Sequence, residues 1–195
     1  MNKEMHSKTS LFLMELIIAI LFFSISGAIC VQLFVQSHSL SEASVEMNNS
    51  ILWTQNISEV FYGKYGSLKE ISDFFLDSSI VLVSYENNPE VGTLVMFFDE
   101  DFELISYPAG NGALDNAKYE LLLCISELPS SEVYSDTSAD TSRMKGNALL
   151  GEIAILKMED STIIDQIPKD NDSRVISDRY VDFYIGTMED STDEA

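Results

Sequence analysis

From Leu11 to Val35 the chain reads LFLMELIIAILFFSISGAICVQLFV, an almost wholly apolar run of about 25 residues. A bilayer core of about 30 Å takes roughly 20 helical residues, so this run is long enough to cross a membrane as one helix. A helix is also what hydrocarbon demands, because it satisfies every backbone polar group internally. One ionised side chain, Glu15, lies inside the run, near its N-terminal end. A carboxylate in that position costs roughly 2.5–3.5 kcal/mol at the bilayer centre and less near the edge, and it calls for a partner. No Lys, Arg or His occurs between Leu11 and Val35, so the partner must come from elsewhere.

Flanking charge sets the orientation. Lys3 and Lys8 precede the run, and no Lys or Arg follows it until Lys64. The positive-inside rule therefore places the N-terminus in the cytoplasm and the bulk of the chain outside. The run is longer than the apolar core of an ordinary secretory signal, although the small residues of SGAIC at its far end also suit a signal peptide cut there. With the span set apart, about 150 residues remain, enough for one modest domain. Net charge is -21, from 11 basic and 32 acidic residues. The basic residues do not cluster, which excludes nucleic acid as a partner, and the acidity reads as a self-repelling, solvated surface. Cys30 lies in the span and Cys124 in a strand-like run, too far apart to approach within disulfide range. Both read as small buried apolar residues.

Beyond the span the helix is expected to continue to about Tyr62. No Pro or Gly interrupts between Ala28 and Tyr62, and Gly63 and Gly66 offer stops. Leu40, Ala43, Met47, Ile51, Ile57 and Phe61 recur on one helical face with Thr54 filling the gap, while Ser41, Glu42, Asn48 and Gln55 fall elsewhere. Ser67–Leu76 reads as a second short helix, with Ser67 and Glu70 placed for a capping box. Strand patterns follow at Ile80–Tyr85, at Thr93–Phe98 and Phe102–Tyr107 as a hairpin around Asp99–Asp101, at Tyr119–Ile125, at Leu149–Leu156, more weakly at Thr162–Ile167, and at Tyr180–Ile185. Pro129–Ser142 reads as an exposed polar loop and residues 189–195 as a frayed acidic tail. The expected class is α+β. A long helix spans the membrane over residues 11–36 and continues as an amphipathic half over residues 37–63. It packs on a small antiparallel sheet in a head of residues 64–188.

Signals for chemistry in the head are absent or weak. Past the first ten residues the one histidine is His38, which leaves little for imidazole catalysis or metal binding. Asp99/Asp101 and Glu159/Asp160 flank turns without calcium-loop spacing and read as solvated turns. Trp53 and Phe61 suit core packing. Asn48, Asn56 and Asn171 begin Asn-x-Ser triplets, a pattern short enough to arise by chance. No catalytic activity, cofactor or metal is expected. Ser24, Ser26, Gly27 and Ala28 form a small-residue surface that would let membrane helices approach closely, or is merely tolerated composition.

Taken in order, the N-terminus has a short leader bearing Lys3 and Lys8, then Ser10, four apolar residues, Glu15, and an unbroken apolar helix that turns amphipathic. This order resembles the prepilin N-terminus shared by type IV pilins and the pseudopilins of type II secretion and competence. The resemblance covers roughly residues 7–62, and the spacing of small residue, apolar run and glutamate carries it. Ser10 stands where the family usually has Gly, and Leu11 where Phe is common. The resemblance implies removal of leader 1–10 by a membrane prepilin peptidase that cuts between Ser10 and Leu11. It further implies methylation of the Leu11 amine and a subunit-assembly role for Glu15 as the fifth mature residue.

It also implies a non-catalytic pilin-like fold, as a minor subunit in the inner membrane or a surface filament. The partners would be the peptidase/methylase, other pilin-like subunits contacted through the N-terminal helix, and a membrane assembly platform. The amine freed at Leu11 of one subunit would pair with Glu15 of the next; alternatively, Glu15 snorkels to the cytoplasmic headgroups of an ordinary anchor. The competing function is a single-span extracytoplasmic ligand-binding or sensing domain that never polymerises.

Overall fold

The computed structural model describes residues 3–75, 78, 80–84, 88, 91–106, 113–135, 144–159, 162–164, 166–169 and 172–188. The chain forms two compact units, Met1–Glu46 and Met47–Ala195. One helix, α1, runs Lys3–Gly63 and contributes to both. In the first unit every side chain from Ser10 to Val45 is exposed. Apolar residues on all sides stay bare, among them Phe12 at 65%, Phe23 at 81% and Phe34 at 74% exposure, so this unit has no core of its own.

The second unit is α+β. Among the described residues it holds the end of α1, the helices α2 (Leu68–Phe75) and α3 (Ser130–Val133), and eight strands. β1 (Ile80–Ser84), β2 (Gly92–Phe98), β4 (Tyr119–Pro129), β6 (Asn147–Lys157) and β7 (Val175–Tyr184) form one antiparallel sheet in the order β1-β2-β4-β6-β7, with the two-residue β3 (Leu104–Ile105) also paired to β2. β5 (Met144–Lys145) and β8 (Thr187–Met188) pair separately; neither announces itself in the sequence.

Alternation along the central strands sends side chains to two faces. Leu94, Met96 and Phe98, Leu121 and Leu123, Ile153 and Ile155, and Val181 pack with Ile57 and Phe61 of α1 and Leu68 and Ile71 of α2. The opposite face is buried too. Val95, Phe97, Leu122, Ala154 and Leu156 lie under Ala117, Met158, Ile163, Ile164 and Ile167. Each large apolar side chain so enclosed contributes roughly 1.5–3 kcal/mol relative to exposure.

The expected face of α1 is buried at Thr54, Ile57 and Phe61, while Met47 and Ile51 of the same face are exposed. Leu40 is 72% exposed, Met47 45% and Ile51 43%, whereas Ser50, Thr54, Ile57, Ser58 and Phe61 are buried. Thr54 Oγ1 donates to the Ser50 carbonyl at 2.8 Å and Ser58 Oγ to the Thr54 carbonyl at 2.7 Å. The Ser50 hydroxyl also bonds that of Ser177 on β7, and Thr54 Oγ1 lies 3.3 Å from it. Hydroxyls satisfied in this way are cheap to bury, so an apolar count misses Ser50 and Ser58.

α1 stops at Gly63, an expected stop. The chain turns through Tyr65 and Gly66, both at positive φ, while Gly66 N–H donates to the Phe61 carbonyl at 2.8 Å. Ser67 caps α2 by accepting from Glu70 N–H at 3.4 Å; the Glu70 carboxylate turns to Lys64, 4.0 Å away, so the capping box stays half made. The hairpin exists but is short, because Phe102 leaves strand geometry at φ 59° and stacks on Tyr119 at 4.0 Å. Asp99 Oδ1 builds its turn, accepting from Asp101 N–H at 3.0 Å and Glu103 N–H at 2.9 Å.

Three further expectations need correction. Thr162–Ile167 is no strand; its isoleucines cover the second face, tethered where Ile164 N–H donates to both oxygens of Glu120 at 3.0 and 3.2 Å. Glu120 is fully buried between strand neighbours Phe97 and Leu156. Residues 129–133 are not loop: Pro129 ends β4 and Ser130 is buried in α3 with its Oγ donating to the Gly146 carbonyl at 2.9 Å, while in the turn that follows Tyr134 O–H donates to Asp182 at 2.6 Å. Cys30 is exposed and Cys124 half-buried, its Sγ accepting from Thr93 O–H at 3.6 Å; neither forms a disulfide among the described residues. Residues 136–143, Asn171 and the tail 189–195 lie outside the described residues.

The turn into β7 carries a pH-dependent contact. Asp172 accepts from Arg174 N–H at 2.9 Å and from its guanidinium at 2.6 Å, which lowers its carboxyl from 3.8 to about 2. A depressed carboxyl stabilises the fold above its unfolded pKa, and the gain is lost as pH falls through the folded value. Denaturation curves of the wild type and Asp172→Asn should therefore differ at neutral pH and converge between pH 3.8 and 2. A gap that persists unchanged across that window would refute the contribution.

Candidate functional site: the N-terminal helix

Ser10, Leu11 and Glu15 all sit on α1 within the first unit. Leu11 and Glu15 are four residues apart and share a face one turn apart, with Leu11 66% exposed. Helical side chains lean towards the N-terminus, so the Glu15 carboxylate leans towards the Leu11 end. Among the described residues, no hydrogen bond or ion pair reaches that carboxylate. The Ser10–Leu11 peptide lies inside the helix, so a protease that binds extended chain must first unwind this turn.

The small-residue surface is open. Ser24 satisfies its own hydroxyl by donating to the Ile20 carbonyl at 2.8 Å, and a Cβ placed on Gly27 would meet nothing within 4 Å. Further along the same unit, Leu40 is 72% and Val45 57% exposed. At 1.5 Å per residue, Leu11 to Val45 covers about 50 Å, well beyond the roughly 30 Å of hydrocarbon that lipid can shield. His38 and Glu42 form an exposed pair at 3.6 Å just past the apolar run. Separately, in the second unit, α1 bares Met47, Ile51 and Leu52 at 45, 43 and 49%. Apolar periodicity assigned Leu40, Met47 and Ile51 to a core, so their place on the outer surface went unread.

The head shows no reactive constellation to set beside this. Among the described residues, no group of three His, Cys, Asp or Glu side chains could hold a metal ion. Trp53 packs on Phe98, ring centroids 4.7 Å apart, and Phe61 is fully enclosed; both are core residues, as expected. Compared with known proteins, the chain matches no family model, no curated sequence and no solved structure.

Proposed function

We infer that the protein is a pilin-like subunit, cut between Ser10 and Leu11, methylated at Leu11 and assembled through its N-terminal helix into a type IV pilus or a secretion or competence pseudopilus. The supporting observation is an exposed helix whose apolar run, Leu11 to Val35, holds one carboxylate, Glu15, and no Lys, Arg or His, with Leu40 and Val45 bare beyond it. Lipid alone covers neither the excess length nor the charge. A bundle of identical or related helices covers both. Its neighbours bury Leu40 and Val45, and the amine freed at Leu11 neutralises Glu15 of the adjacent subunit. Desolvation strengthens that pairing and fixes axial register between subunits. The acidic head stays outside the membrane and carries no catalysis.

Mass spectrometry of the protein from a host with a prepilin peptidase tests the reading directly. The expected mature chain begins at N-methyl-Leu11. A chain that keeps Met1–Ser10 in such a host would overturn it and leave a tethered, non-polymerising domain.

A further inference from the structure

The second face of the sheet is covered unevenly. At one end the isoleucines of residues 163–167 close over Val95, Phe97, Leu122 and Leu156. Towards the other end, Tyr134 donates its O–H to Asp182 of β7. Between these covers a row of four side chains crosses the sheet in register: Thr93 on β2, Cys124 on β4, Glu152 on β6 and Tyr180 on β7. This row floors two adjoining grooves of about 580 and 450 Å³ that share Glu152, Ile167 and Lys169.

The larger groove has a distinct chemistry. Glu152 pairs with Tyr180 and Asp178 with Ala154, so Asp178 is the diagonal neighbour of Glu152 on one face. Diagonal pairs on a sheet lie about 7–8 Å apart, within reach of a single bridging group. Tyr180 is 58% exposed and donates its O–H to Glu152 Oε1 at 2.9 Å. That bond raises the phenol above its usual range, helped by burial and by the negative charge of Glu152 and Asp178. Ile167, Pro168 and Val175 give the walls an apolar surface. Asp172, also in the lining, is already held by Arg174. Lys169 adds one positive charge to the wall, but among the described residues no ion pair joins it to Glu152 or Asp178.

Two like charges held side by side, with no ion pair to either among the described residues, repel each other. A guanidinium relieves that cost, because its planar fork bonds two carboxylate groups at once and its face stacks on an aromatic ring. The apolar walls suit the methylene stem. We propose that this groove is a docking site for an arginine side chain presented by an extended segment of a partner protein. Charge complementarity carries the choice: paired carboxylates beside an exposed tyrosine, on a chain of net charge -21. The proposal stands apart from the filament reading, since a tethered monomer could use the groove equally well.

The test titrates the full-length protein in detergent micelles with acetyl-Leu-Arg-Leu-amide, following the Tyr180 ring by NMR. The same peptide carrying citrulline, a neutral isostere, serves as control. The arginine peptide should bind at least tenfold more tightly than the citrulline peptide. The double variant Glu152→Gln/Asp178→Asn should lose that preference. The distant Glu100→Gln/Asp101→Asn pair should change affinity less than twofold, and Lys169→Met should leave affinity equal or raised. Equal loss in both double variants would reduce the effect to general acidity and overturn the proposal. Weaker binding by Lys169→Met would mean an anion site, and saturation of the Tyr180 shift by calcium chloride alone would mean a cation site; either outcome also overturns it.

Discussion

A Glu15→Val protein should insert as the wild type does and fall at least tenfold in its filament-assembled fraction. Insertion is spared because valine removes a charge that costs roughly 2.5–3.5 kcal/mol at most to place in hydrocarbon. The head is spared because Glu15 is exposed on α1 in the first unit and forms no bond among the described residues. Assembly, under the proposed pairing of Glu15 with the Leu11 amine of the next subunit, is not spared. Removing one partner of a desolvated ion pair costs roughly 3–5 kcal/mol, since the other charge is left buried alone. Even a third of that is a tenfold change at about 1.4 kcal/mol per decade. Fractionating sheared surface filaments from membranes gives the ratio. Glu15→Gln, which keeps the shape and loses the charge, should behave like Glu15→Val. Wild-type assembly by both variants would return Glu15 to the part of a carboxylate that merely snorkels to the headgroups.

The parts of this fold written in consecutive residues were the parts open to reading. The helix could be read through to Gly63 because no Pro or Gly stops it after Ala28, and its spacing of Ser10, Leu11 and Glu15 is local to one turn and a half. β4 and β6 could be read because apolar runs of that length, bounded by polar residues, suit buried strands. What escaped depends on partners far along the chain. Thr162–Ile167 has strand-like residues, yet its Ile164 N–H finds a side-chain acceptor, Glu120, some forty residues earlier rather than a strand. Nothing in YELLLCI marks that glutamate as buried. Ser50 and Thr54 face inward because Ser177, on the last long strand, waits for them. The row Thr93–Cys124–Glu152–Tyr180 exists only once three strand registers are set, and a slip of one residue would send each side chain to the other face.

Phe61→Ala should destabilise the second unit by about 3–5 kcal/mol, the usual cost of emptying a fully enclosed phenylalanine site. The ring is 0% exposed and lies where two glycines make room for it. A Cβ on Gly66 would come within 3.2 Å of Phe61 Cζ, and one on Gly151 within 3.1 Å of Phe61 Cε2 and 2.8 Å of Val181 Cγ2. The ring thus joins α1 to β6 at Gly151, where strand backbone forms part of the facing wall. Alanine there leaves a cavity that rigid strand backbone cannot collapse to fill, so the upper end of the range is expected. Gly151→Ala errs in the opposite sense and should cost about 1–3 kcal/mol by overpacking. Combining the two should cost less than their sum, because one of the two contacts that crowd the new methyl is gone while the Val181 contact remains. Denaturant unfolding followed by the single tryptophan, Trp53, reports this, since Trp53 packs against Phe98 in the same core. Against a total stability of about 5–15 kcal/mol for a domain of this kind, the Phe61 loss alone brings the head near its unfolding threshold. A loss below about 1 kcal/mol would mean that α1 does not seat on the sheet through this ring.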